Sequence, residues 1–99
     1  MENTPVRKLL SNQKLRQRLV REGGENAIAA VRAIAHPLAD LEVAKRAKIT
    51  HLAARAALNR LMWPSGVTSY EKAKDPKTGY DAYIWHVNIQ KLKQLAKNP

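Results

Sequence analysis

The chain changes hydrophobic period at "WPSG", residues 63–66, and that change limits the folds open to it. Before it, apolar residues recur three and four apart, a spacing that lines one face of a helix. After it, "VTSYEKAKD" and "YDAYIWHVN" alternate apolar and polar residues on either side of "DPKTG". Alternation rich in Val, Thr, Tyr, Ile and Trp describes strands with one covered face. Pro76 suits the second position of a type I turn and Gly79 a position of positive φ, which together predict an antiparallel hairpin. Tyr80, Tyr83 and Trp85, three of the five aromatic residues, crowd into its second run, in a chain without Phe. They can be core, a platform for stacked bases, or the covered face of a strand.

The helical part divides at its caps and breakers. Pro5 to Leu10 makes a turn of helix or an arm. Ser11 is expected to cap a helix reaching about Glu22, with Leu15 and Leu19 as its buried stripe and Gly23-Gly24 as its end. In "GENAIAAVRAIAHP" one face carries Ala27, Ile28, Val31, Ile34 and Ala35, and Pro37 stops the helix. Asp40 is expected to cap a third helix, about 40–47, held by Val43, Ala44 and Ala47. Thr50 caps a fourth, about 50–63, with Ala54, Ala57, Leu58 and Leu61 buried. Asn88 caps a last helix with Ile89, Leu92 and Leu95 or Ala96 inward and Lys91, Lys93 and Lys97 largely outward.

That order predicts a mostly α fold with a small β-hairpin: a winged helix-turn-helix with extra N- and C-terminal helices, one domain over residues 1–99. The third and fourth helices form the helix-turn-helix, and the hairpin, about 67–88, is the wing. The aromatics then belong to the second wing strand, with Trp85 and Tyr83 in or beside the core.

Charge narrows the function. The net charge is +10, and it is uneven: Met1 to Ala44 carries seven basic and five acidic residues, Lys45 to Pro99 eleven and three. Such a field attracts polyanions, nucleic acid before anionic membrane. No run of eighteen apolar residues or signal-peptide h-region occurs, so a cytoplasmic protein is expected, without membrane association. With no cysteine there is neither a disulfide nor a Cys-type zinc site, and His36, His51 and His86 lack metal-ligand spacing. No phosphate-loop or Gly-x-Ser-x-Gly pattern occurs, so neither enzymatic activity nor a cofactor or metal is expected. There is no heptad repeat to specify a dimer.

Within the wing, Tyr70, Asp75, Thr78, Gly79, Tyr80, Tyr83, Trp85 and Asn88 form a pattern: a strand ending in Asp, a short turn to Thr-Gly, an aromatic residue, then Tyr-x-Trp-x-x-Asn. It resembles the N-terminal winged-helix domain of archaeal transcription factor E, related to the large subunit of eukaryotic transcription factor IIE. Asp40-x-x-Val43-Ala44, Ile49 and Leu58-x-x-Leu61 add weaker support. The resemblance spans nearly the whole chain, and its specific part is the wing half. It implies a factor that aids promoter opening by contacting RNA polymerase and upstream promoter DNA, with polymerase contact made by the wing and an apolar exposed surface near the recognition helix. The chain departs from the family in lacking the cysteines of its zinc ribbon. It also departs in carrying Lys45, Arg46 and Lys48 where the family's third helix is typically acidic.

Two functions follow as expectations. The first is a winged helix that binds double-stranded DNA mainly through phosphates, with weak sequence preference, as a nucleoid-associated or minimal transcription protein. Its recognition helix would use Thr50, His51, Arg55, Asn59 and Arg60. Arg55 and Asn59, one turn apart with Ala56 between, suit guanine and adenine edges, or are simply two polar residues on a wet face. Lys45, Arg46 and Lys48 would flank that helix, and Lys72, Lys74 and Lys77 of the wing would meet phosphates or guard an edge strand. The second function is an RNA polymerase-binding initiation-factor module, favoured if Leu52 is exposed. Trp63 is expected to wedge against the wing.

Overall fold

The structure, a computed structural model, describes residues 4–74 and 78–97. Its elements in order are α1 (Thr4–Leu10), α2 (Gln13–Gly23), α3 (Ala27–Ala33), β1 (Leu38–Ala39), α4 (Asp40–Ala47), α5 (His51–Met62), β2 (Thr68–Lys74), β3 (Asp81–Val87) and α6 (Ile89–Lys97). The sheet is antiparallel in the order β1-β3-β2. This is the mostly α, winged-helix-like architecture read from the sequence, with one strand more than expected.

The added strand explains why α3 is short. Ile34 still donates its N–H to Ala30 O, but Ala35 bonds Arg32 O and the helix unwinds three residues before Pro37. A residue preceding proline is pushed away from helical geometry. The chain then extends, and "LA" pairs with β3, Leu38 opposite Trp85 and Ala39 opposite Ile84. Two residues are too few for alternation to reveal.

Capping shifts two expected starts. Ser11 does not cap α2. Its hydroxyl donates to Lys8 O at 2.6 Å, closing α1, and Asn12 Oδ1 accepts from Leu15 N at 3.0 Å instead. Both helix ends thus find partners for groups their own turns leave unsatisfied. Asp40 is the first residue of α4 rather than its cap: Ala39 takes the extended cap conformation, and Asp40 Oδ1 accepts from Leu41 N. Thr50 caps α5 as expected, its Oγ1 accepting from Ala53 N at 3.1 Å. Replacing Thr50 with alanine should cost about 1 kcal/mol in urea unfolding, the usual worth of such a cap.

The core has two adjoining parts. Leu15, Leu19, Val31, Leu61, Val67 and Leu92 fill one; Ile34, Val43, Leu58 and Trp85 fill the other among alanines of α3, α4 and α5. Small residues let α2 and α5 approach closely. Gly23 is buried, and a Cβ there would stand 2.8 Å from Leu61 Cγ. Gly24 then ends α2 at φ 89°.

The wing is tied to the body at its root. Buried Thr68 donates its hydroxyl to Leu58 O at 2.7 Å, and Asn88 N bonds Val67 O at 2.7 Å. Asn88 caps α6 through Lys91 N. Strand register runs from Thr68 opposite Val87 to Lys74 opposite Asp81. Gly79 has the expected positive φ of 76°. The Pro76 turn and Lys77 lie outside the described residues.

Candidate interaction face of the helix-turn-helix and wing

Helix α5 buries Ala54, Ala57, Leu58 and Leu61, which turns Leu52, Ala56 and Asn59 outward, one turn apart in succession. Leu52 is 79% exposed. Trp63, in extended conformation after the helix, is 80% exposed and continues this line. The expected wedge of Trp63 against the wing is therefore not formed. Its extended backbone carries the side chain off the end of α5, and Val67, not Trp63, packs into the core beneath the wing.

Cations do not converge on the same line. Asp40 gathers one of them together with an imidazole: its Oδ2 lies 3.5 Å from Arg55 Nε and 2.9 Å from His51 Nε2. The Arg55 guanidinium carbon also sits 6.0 Å from the ring centre of Tyr83. Arg55 thus leans towards the wing. Asn59 keeps the outward place, and Arg60 stands on the opposite flank, beside Gly24. The Thr50 hydroxyl is engaged in its cap.

The basic residues of α4 spread apart as well. Lys45 pairs with Glu42 at 3.7 Å, and Lys48 holds the left-handed position, φ 58°, that ends the helix. Arg46 joins Arg7, Arg32 and His36 around a cleft lined by neither α5 nor the wing. Lys72 and Lys74 are exposed on one face of β2, opposite Tyr83 and Asp81 in the register. Lys72 and Arg55 line a shallow hollow of about 370 Å³ with Asp40, Leu41, Asp81 and Tyr83.

The aromatics grade from core to solvent along β3. Trp85 is buried; Tyr70 stacks edge-on against Tyr83 at 5.0 Å and tilts over Trp85 at 5.1 Å. Tyr83 stays partly open, and Tyr80 is 77% exposed near the tip. Leu41, half exposed on α4, lies between α5 and the wing in the same hollow. Sequence reading missed Leu41 and the role of Asp40. An acidic residue at a helix start reads as a cap, and only the packing of α5 beside it shows the His51 ring and the Arg55 guanidinium aimed at its second oxygen.

Replacing Asp40 with asparagine should release both. The expected result is a loss of at most about 1 kcal/mol, as for partly exposed ion pairs. Affinity for a short duplex at low salt should rise a few-fold, read by fluorescence anisotropy.

Among the described residues, no helix is long and apolar enough to cross a membrane. A family model described as "TFIIE alpha subunit" matches residues 14–98, from α2 to the end of α6. No curated protein matches the chain.

Proposed function

The chain belongs to the TFIIE alpha subunit family, a family of transcription factors and not of enzymes, and from that premise we propose that it is an initiation-factor module that docks on RNA polymerase through the outward face of α5. The observation that carries this is the line Leu52, Ala56, Asn59, Trp63, whose two large apolar members are about four-fifths exposed. Interfaces are anchored by a few such side chains inside a polar rim, with Trp prominent among them. Asn59 and Arg60 would supply rim on this helix, and Leu41 and Tyr80 extend the apolar surface towards the wing.

The charge distribution favours this reading over a protein that coats DNA. A backbone binder needs donors converging on one track of phosphates. Here Arg55 faces Asp40, Lys45 faces Glu42, and Lys74 stands opposite Asp81. The wing lysines Lys72 and Lys74 then have a supporting role: they hold nearby promoter DNA by its phosphates while α5 is engaged with the polymerase. Residence on the nucleoid follows from that assembly.

The test is retention of purified RNA polymerase on the immobilised chain at about 150 mM salt, where exposed charges act only over roughly 8 Å. Retention by the chain and its loss on Leu52→Asp are expected. No retention by the unaltered chain would overturn the proposal.

A further inference from the structure

Away from α5, the structure holds a cleft of about 440 Å³ whose walls come from α1, α3, the α3–β1 connection and α4. Arg7, Arg32, His36 and Arg46 line it over a floor of Val6 and alanines. Among the described residues no carboxylate does, and no tyrosine or tryptophan. Arg32 and Arg46 are exposed and have no carboxylate partner among those residues. Glu42, one turn before Arg46, is engaged by Lys45. A neighbouring hollow shares Arg7 and Arg32 and adds Arg16, whose guanidinium is steadied by a 3.1 Å bond to Leu10 O.

We propose that this cleft binds a small oligophosphate, a run of linked phosphates such as the tail of a nucleoside triphosphate or a short inorganic polyphosphate. The chemistry of the lining points there. Guanidinium groups present paired N–H donors that match phosphate oxygens, and His36 adds a ring donor. Several arginines around one cleft suit linked phosphates better than a single one. The alanine floor lets the ligand lie close to the helix surfaces, and the volume is that of a small-molecule site. A duplex would meet only its rim. Among the described residues no tyrosine, tryptophan, asparagine or glutamine lines the cleft to read a base edge, so recognition rests chiefly on the phosphates. Arg7 lies on α1, outside the residues that the family model matches, so the complete cleft is a property of this chain and not of the matched span. The site is separate from the docking face proposed above and stands without it.

The test is calorimetric titration of the full chain with inorganic triphosphate, ATP, citrate and a short single-stranded oligonucleotide at equal ionic strength. Variants are Arg32→Gln with Arg46→Gln and, as a control removing the same charge, Lys91→Gln with Lys93→Gln. Expected are saturable one-site binding of triphosphate and ATP within a few-fold of each other, and weaker binding of citrate. The arginine pair should weaken the phosphates by about a hundredfold, roughly tenfold per charge-assisted contact, and the lysine pair should leave them within threefold. If the arginine pair lowers the thermal midpoint, Arg32→Gln alone is read for its tenfold. An equal loss in the lysine pair, equal binding of citrate, or binding of the oligonucleotide or ATP without triphosphate would each overturn the proposal.

Discussion

Truncating Leu61 to alanine is expected to cost about 3 kcal/mol, within the range for emptying a buried leucine site. Adding a methyl group at Gly23 in the same chain should return part of that loss. Leu61 is fully buried where α5 crosses the end of α2, among side chains from α1, α2, α3 and α6. Gly23 has no side chain because that space is taken: a Cβ would meet Leu61 Cγ at 2.8 Å and Cδ2 at 2.9 Å. Gly23→Ala alone therefore overpacks the crossing, with an expected loss of about 1–2 kcal/mol despite alanine's better helix propensity. In the double variant the leucine branch is gone and the new methyl enters its space. The contact with Ala27 Cβ, 2.9 Å, remains, so recovery is partial. Urea unfolding of the four chains should show a coupling of about 1 kcal/mol in favour of the double variant. Simple additivity would mean that α2 and α5 separate freely at this crossing. For a domain of this size either single change removes a large share of total stability.

The second large effect is on binding rather than folding. Leu52→Asp combined with Trp63→Ala should weaken polymerase association by at least about a hundredfold, since two anchor residues at about 2 kcal/mol or more each reach that figure. The same double variant should unfold within about 0.5 kcal/mol of the parent chain, because both side chains stand in solvent and touch no core. The contrast between the two readouts matters. A residue that supports the fold would lower both, whereas an anchor kept for a partner lowers only the first. Comparable losses in stability and affinity would place Leu52 and Trp63 in the structure of the free chain and remove them from the docking face.

The helix-turn-helix was legible because its signals are local. Thr50 three residues before Ala53, the 54-57-58-61 stripe and the alternating wing strands each follow from spacing within a dozen residues. Asn88 capping α6 is of the same kind. What was hidden depends on neighbours distant in sequence. The strand at Leu38–Ala39 exists because β3, some forty-five residues later, offers it an edge. Ser11 and Asn12 are both good caps, and the need to close α1 decides between them.

The candidate site divides along the same line. That Leu52 and Asn59 face outward follows from the buried stripe of α5, which the sequence shows. That Arg55 leans on Asp40 and Tyr83 instead of projecting beside Asn59 does not, because it needs the wing in place. The sequence places Lys45, Arg46, Lys48 and the wing lysines on either side of the recognition helix. The folded chain separates them: Arg46 lines the cleft, Lys45 pairs with Glu42, and Arg60 of the recognition helix stands beside the α2–α3 turn. Composition reports how much charge there is and says nothing of where it points.

The most direct test of the central claim is the salt dependence of polymerase binding by the unaltered chain, set beside that of a random duplex, at about 50 and 200 mM salt. Binding through phosphates falls steeply: four contacts at a slope of about −0.9 each lose roughly a hundredfold over that range. If the outward apolar face of α5 is the docking surface, affinity for the polymerase should fall by less than about threefold while affinity for the duplex collapses. A polymerase affinity that falls as steeply as that for DNA would contradict the account, and would identify charge, not Leu52 and Trp63, as what holds this chain to its partner.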